Sequence, residues 1–130
     1  MTRAAPFLMF EGRAEEALTF YAATIPDSRI ERVDRYGAEG PGPEGSVRMA
    51  RATIAGLPVL ASDSYVHHGF TFTPSFSFMI ECADEAEIDR LAAALGDGGA
   101  VLMPLGNYGF SRKFGWVNDR FGVSWQVNLP

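Results

Sequence analysis

The feature that most constrains this chain is an internal repeat. The segment Ala14-Glu15-Glu16-Ala17-Leu18-Thr19-Phe20-Tyr21 has helix-forming composition and follows a short apolar run. Asp84-Glu85-Ala86-Glu87-Ile88-Asp89-Arg90-Leu91 has the same character and the same kind of run before it. Roughly three strand-like stretches follow each helix. Two copies of strand, helix, strand, strand, strand predict an α+β fold. The expected architecture is two βαβββ modules forming a curved, mostly antiparallel sheet around a cleft. The module limits read as 1–62 and 75–130, with 63–74 as a linker, all within one domain.

Local signals support that division. Ala14, Ala17, Leu18, Tyr21 and Ala22 form one apolar stripe at helical spacing, and Pro26 disfavours helix in the residue before it. Asp84 with Glu87 has the form of a capping box. Ile88, Leu91, Ala92 and Leu95 give the second helix its stripe, and Gly96, Gly98 and Gly99 end it. Strands are expected over 6–10, 29–36, 47–54, 57–62, 75–80, 100–105, 110–118 and 123–129. The glycine- and proline-rich run Gly37–Gly45 reads as a hairpin loop without packed structure. In Ser75-Phe76-Ser77-Phe78-Met79-Ile80 the alternation sets Phe76, Phe78 and Ile80 on one face and Ser75, Ser77 and Met79 on the other.

Charge and composition exclude several function classes. A net charge of −5, with scattered arginines and no basic block, argues against a nucleic-acid partner. No apolar run approaches the ~20 residues that span a bilayer, so no membrane partner is expected. A single cysteine, Cys82, cannot form an internal disulfide, and the N-terminus has no signal-peptide core. A cytoplasmic location is the corresponding expectation.

Two segments carry a family resemblance. Phe114-Gly115-Trp116-Val117-Asn118-Asp119-Arg120-Phe121-Gly122-Val123-Ser124-Trp125-Gln126-Val127 is the more specific; Phe10-Glu11-Gly12-Arg13-Ala14-Glu15-Glu16-Ala17-Leu18-Thr19-Phe20-Tyr21 is the other. With these, the chain resembles the PhnB-like branch of the glyoxalase superfamily, whose fold is also called the vicinal oxygen chelate fold. Members of this branch are often described as demethylubiquinone methyltransferases. The resemblance implies paired βαβββ modules, an open sheet around a pocket and a homodimer.

The resemblance also implies a test of metal chemistry. Enzymes of the superfamily commonly hold one divalent ion with His and Glu side chains from four strands, polarising vicinal oxygens of the substrate. Aligned on the helix motif, those positions fall near Pro6, at Ala61 or Ser62, at Ser75 and at Gln126. Met49 stands where relatives often carry histidine. Proline and alanine have no donor atom, and serine is a poor ligand for transition metals. No metal site and no cofactor are therefore expected. A nucleotide-type methyl donor also needs a glycine-rich turn between a strand and a helix, and Gly37–Gly45, with Pro41 and Pro43 and no following helix, does not offer one.

The expected cleft face instead carries Met49, Arg51, Ser75, Ser77, Met79, Ser124 and Gln126, with Tyr108 and Trp116 as aromatic neighbours. This mostly neutral, hydrogen-bonding set with one cation suits a small polar or aromatic ligand. Trp125 and Phe110 are read as core or interface, and Asp119 and Arg120 as shaping a turn. The pair His67-His68 lies in the linker, as a solvated loop or as a lid that gates a ligand or binds a metal. No catalytic residue stands out. Three readings stay open: a metal-free module that binds or sequesters a small molecule, a glyoxalase-superfamily enzyme that is metal-free or uses an unconventional or loop-supplied metal site, and a structural dimer whose pocket is vestigial.

Overall fold

The computed structural model describes residues 1–130. The chain divides into two compact units, Met1–Gly69 and Phe70–Pro130, so the boundary falls inside the aromatic linker. The first contains β1 (Phe7–Phe10), α1 (Ala14–Thr24), β2 (Arg29–Arg35), β3 (Val47–Ile54) and β4 (Leu57–Asp63). The second contains β5 (Phe78–Glu81), α2 (Glu85–Gly96), β6 (Ala100–Gly106), β7 (Lys113–Asn118) and β8 (Ser124–Leu129).

Both units have one topology, β1-β4-β3-β2 and β5-β8-β7-β6. The first strand of each pairs in parallel with the last, and the other pairings are antiparallel. The helix explains this order. An 11-residue helix spans about 16 Å, close to the ~14 Å width of a four-stranded sheet. It therefore carries the chain from one sheet edge to the other, and a three-strand meander returns to the starting strand. The fold is α+β, two βαβββ modules, as the repeat predicts.

Each helix buries its apolar stripe on its own sheet. Ala14, Ala17, Leu18 and Tyr21 are buried on α1, and Ile88, Leu91 and Leu95 on α2. Under α1 lie Leu8, Phe10, Ala50, Ala52, Ile54, Val59 and Ala61. The buried set of the second unit includes Phe78, Ile80, Val117, Trp125, Val127 and Leu129. Trp125 is fully buried and stacks on Phe78, with ring centroids 4.9 Å apart. It is a core residue. Ile25, just before Pro26, is extended and closes α1. At α2, Asp84 Oδ1 accepts from Glu87 N at 2.9 Å, while Glu87 Oε1 accepts from Ala83 N at 3.0 Å. The capping box is thus present, with its return bond shifted back by one residue.

Three expectations need correction. The strand expected from Ser75 begins at Phe78, because Thr73–Phe76 forms a turn in which Phe76 N donates to Thr73 O at 3.3 Å. Pro74 sits at the second turn position, which its fixed φ favours. Phe76 is consequently 58% exposed and is not core. The strand expected from Phe110 begins at Lys113. Finally, the Gly37–Gly45 loop is exposed as expected except at Gly42, but it has a defined closure. It closes on Tyr36, whose N–H donates to Ser46 O and whose carbonyl accepts from Gly45 N, each at 2.9 Å. The Tyr36 ring lies so near Gly42 that an added Cβ would come within 2.7 Å of it.

Candidate functional site

The second unit presents a polar row on the face opposite Trp125 and Val127. Alternation along β8 puts Ser124, Gln126 and Asn128 there, and register brings Trp116 of β7 and Met79 of β5 beside Gln126. Trp116 Nε1 donates to Ser124 Oγ at 2.8 Å, and Ser124 Oγ lies 2.6 Å from Ser77 Oγ. Gln126 Nε2 reaches the same Ser77 oxygen at 3.4 Å. Ser124 is only 2% exposed, whereas Ser77, Trp116 and Gln126 are half-buried and Met79 is exposed. Further along the row Asn128 Nδ2 donates to Glu81 at 3.1 Å. The side-chain oxygens of Asn118 and Asn128 are buried without a partner.

The structure thus joins Ser77, Trp116 and Gln126 of the expected site, with Ser124 of the same expected face as their hub. Ser75 is not among them: it lies in the turn before β5, its hydroxyl 2.7 Å from that of Thr73. Tyr108 belongs to a separate aromatic cluster in the β6–β7 loop. Its hydroxyl donates to Pro104 O at 2.6 Å, and its ring lies 6.4 Å from Phe110 and 6.1 Å from Phe114. Met49 and Arg51 lie on β3 of the first unit, opposite Asp34 and Arg32 of β2. Arg51 is exposed.

The first unit has a cavity of about 240 Å³ lined by Glu11, Gly12, Ser46, Asp63, Tyr65 and His67, among others. One lining residue, Asp63, is only 5% exposed and stands where the linker is expected to open. Asp63 Oδ1 accepts from Gly12 N and Ala14 N at 2.9 Å, and Oδ2 from Val47 N at 3.0 Å. Helix α1 has no side-chain cap of its own at Arg13, so Asp63 supplies one from β4. A signal was available. Asp63 continues the buried alternation of Val59 and Ala61, and a carboxylate at such a position needs donors.

At the rim, His67 Nδ1 lies 2.9 Å from Glu11 Oε1, and His68 N donates to Glu11 Oε2 at 3.4 Å. The His67 contact foremost holds the Glu11 carboxyl below its usual range. His68 Nε2 meets Ser64 Oγ at 2.8 Å. The two imidazoles therefore have different partners. No three His, Cys, Asp or Glu side chains are arranged to hold a metal ion. The donors around Gln126 are hydroxyls and an indole, a set that does not fit the divalent ion of the superfamily.

The family described as 3-demethylubiquinone-9 3-methyltransferase matches residues 2–128. A putative 3-demethylubiquinone-9 3-methyltransferase, PhnB protein, from Bacillus cereus is 50% identical; the match covers 99% of this chain and 100% of that one, with a TM-score of 0.95. Protein YjdN of Escherichia coli strain K12 is 23% identical over 95% of this chain and 92% of its own length. A glyoxylase/bleomycin resistance protein/dioxygenase domain from Frankia sp. EAN1pec shares the fold, at 14% identity and a TM-score of 0.65 over 99% of this chain and 91% of that one. The chain belongs to the 3-demethylubiquinone-9 3-methyltransferase family, the PhnB-like branch of the glyoxalase superfamily.

Proposed function

We propose that this protein binds or sequesters a small polar or aromatic metabolite in a pocket that uses no metal. The observation that carries this reading is the donor set around Gln126. Ser77 and Gln126, held by Ser124 and Trp116, offer neutral hydrogen bonds beside an exposed thioether and the indole ring, which suits orientation of a small ligand rather than Lewis-acid chemistry. Methyl transfer has no comparable support. The Gly37–Gly45 loop leads into strand β3 rather than a helix and wraps the Tyr36 ring, so it lacks the strand–turn–helix that a nucleotide-type methyl donor needs.

One observation favours a second reading, an enzyme with a loop-supplied metal ligand. Glu11 engages His67 Nδ1 and leaves Nε2 outward on a side chain 92% exposed, the orientation a carboxylate gives to a metal-binding imidazole. One imidazole does not make a site, so this reading needs further ligands from a partner chain. Thermal melting against a metabolite panel, with chelator present throughout, separates the two. Stabilisation by a metabolite under chelation supports the metal-free pocket. Stabilisation that appears only when metal is restored supports the enzyme.

The protein is proposed to work as a cytoplasmic homodimer. Val101, Tyr108 and Phe110 leave apolar surface exposed, and β2 and β6 are sheet edges, both of which a second copy would cover. Light scattering at micromolar concentration is expected to give twice the chain mass of 14.1 kDa; the chain mass itself would reject the dimer. No helix is long and apolar enough to cross a membrane.

A further inference from the structure

Resting on the pocket reading above, we infer that the Ser77–Gln126 site selects a ligand by an acceptor oxygen, a carbonyl on a small planar molecule, through a hydrogen-bond chain whose direction Trp116 sets. An indole N–H donates only. Trp116 therefore fills one lone pair of Ser124 Oγ at 2.8 Å. Ser124 is 2% exposed, and its hydroxyl proton must still be donated. Ser77 Oγ, at 2.6 Å, is the acceptor the structure provides. Ser77 then accepts from Ser124 and, more weakly, from Gln126 Nε2 at 3.4 Å. Its own hydroxyl proton has no acceptor in the protein and sits on a half-buried residue.

The consequence is a polarity. The Ser77 O–H and the second N–H of Gln126 are adjacent unused donors, held by a buried hydroxyl. A molecule presenting a carbonyl oxygen satisfies both, while one presenting only N–H donors leaves them unpaired. Discrimination of this kind comes from the cost of unpaired buried groups more than from the new bond itself. Trp116 is a positioning residue in this scheme. Its ring face, beside Met79 and Gln126 in the register, offers the planar surface.

Acetophenone and aniline test the inference, because both are small, planar and uncharged at neutral pH but opposite in polarity. NMR of the intact protein reads two things: the Ser124 hydroxyl proton without ligand, and the Gln126 side-chain amide during titration. The expected result is a slowly exchanging Ser124 hydroxyl close to the Ser77 methylene, and Gln126 shifts with acetophenone at concentrations about fivefold below those for aniline. Ser77→Ala should weaken acetophenone by about fivefold and leave aniline unchanged. Trp116→Phe keeps the ring but frees the Ser124 lone pair, so it should shrink the preference between the two probes. Aniline shifting Gln126 at the lower concentration would overturn the polarity while leaving a pocket. A protected Ser77 hydroxyl donating to Ser124 would overturn it without any ligand. Neither probe moving Gln126, with the Ser124 hydroxyl as described, would remove the site and the proposed function together.

Discussion

Asp63 shows how one side chain can fix a corner of the fold. It takes three backbone N–H groups from the start of β3 and from the β1–α1 turn, which otherwise have no partner in the core. Asp63→Ala should cost about 3 kcal/mol, since several buried donors lose their acceptor at once. Asp63→Asn should not restore this, because an amide nitrogen placed opposite one of those N–H groups cannot accept. Urea denaturation of the two variants checks both statements. Cys82 is the contrasting case. Burial foremost, then the nearby Glu87 carboxylate, pushes its thiol up to about 11 from an ordinary 9.0. Because the folded value is the higher one, the stability linked to this proton is complete below about pH 9. It is lost as pH rises through about 11. At pH 8 a thiol reagent should leave Cys82 unmodified in the native protein and react fully after denaturation; rapid native labelling would show an accessible thiolate instead.

At the scale of elements, tight backbone approaches set what the sequence tolerates. Gly99, between α2 and β6, lies so close to β7 that an added Cβ would stand 2.0 Å from Asn118 O. Backbone cannot yield as a flexible side chain does. Gly99→Ala should therefore destabilise by about 3 kcal/mol, more than Gly42→Ala, where the Tyr36 ring can swing aside. Thermal melting of the two variants gives the order. The elements themselves were largely legible. Both helices followed from their apolar stripes and from Pro26 and Asp84, signals that are local. The start of β5 was not, because alternation in Ser75–Ile80 reports which way side chains would point. Pairing decides where a strand exists, and β5 pairs with β8 from Phe78 opposite Trp125. The site divided in the same way. Gln126, Ser77 and Trp116 were reachable by counting alternate residues. Alternation also reached Ser124 and marked Asp63 as buried, but their roles, as a hub and as a cap 49 residues from its helix, depend on contacts between distant segments.

For the whole molecule, the repeat was the decisive signal, since two copies of one module dictate two sheets of the same strand order. Belonging to a superfamily that commonly uses a divalent ion does not carry that chemistry to this chain. The positions expected to correspond to the metal ligands hold proline, alanine or serine, and serine, and the remaining glutamine bonds a hydroxyl. Whether a metal belongs here decides between the pocket and the enzyme. The most direct measurement is the metal content of protein purified without an affinity tag, followed by melting with zinc, nickel, manganese or iron against a chelator. A metal-free pocket requires well under one ion per chain and no shift in melting temperature with any of them. One bound ion per chain, with a stabilisation that the chelator abolishes, would contradict it and make this protein a metalloenzyme candidate.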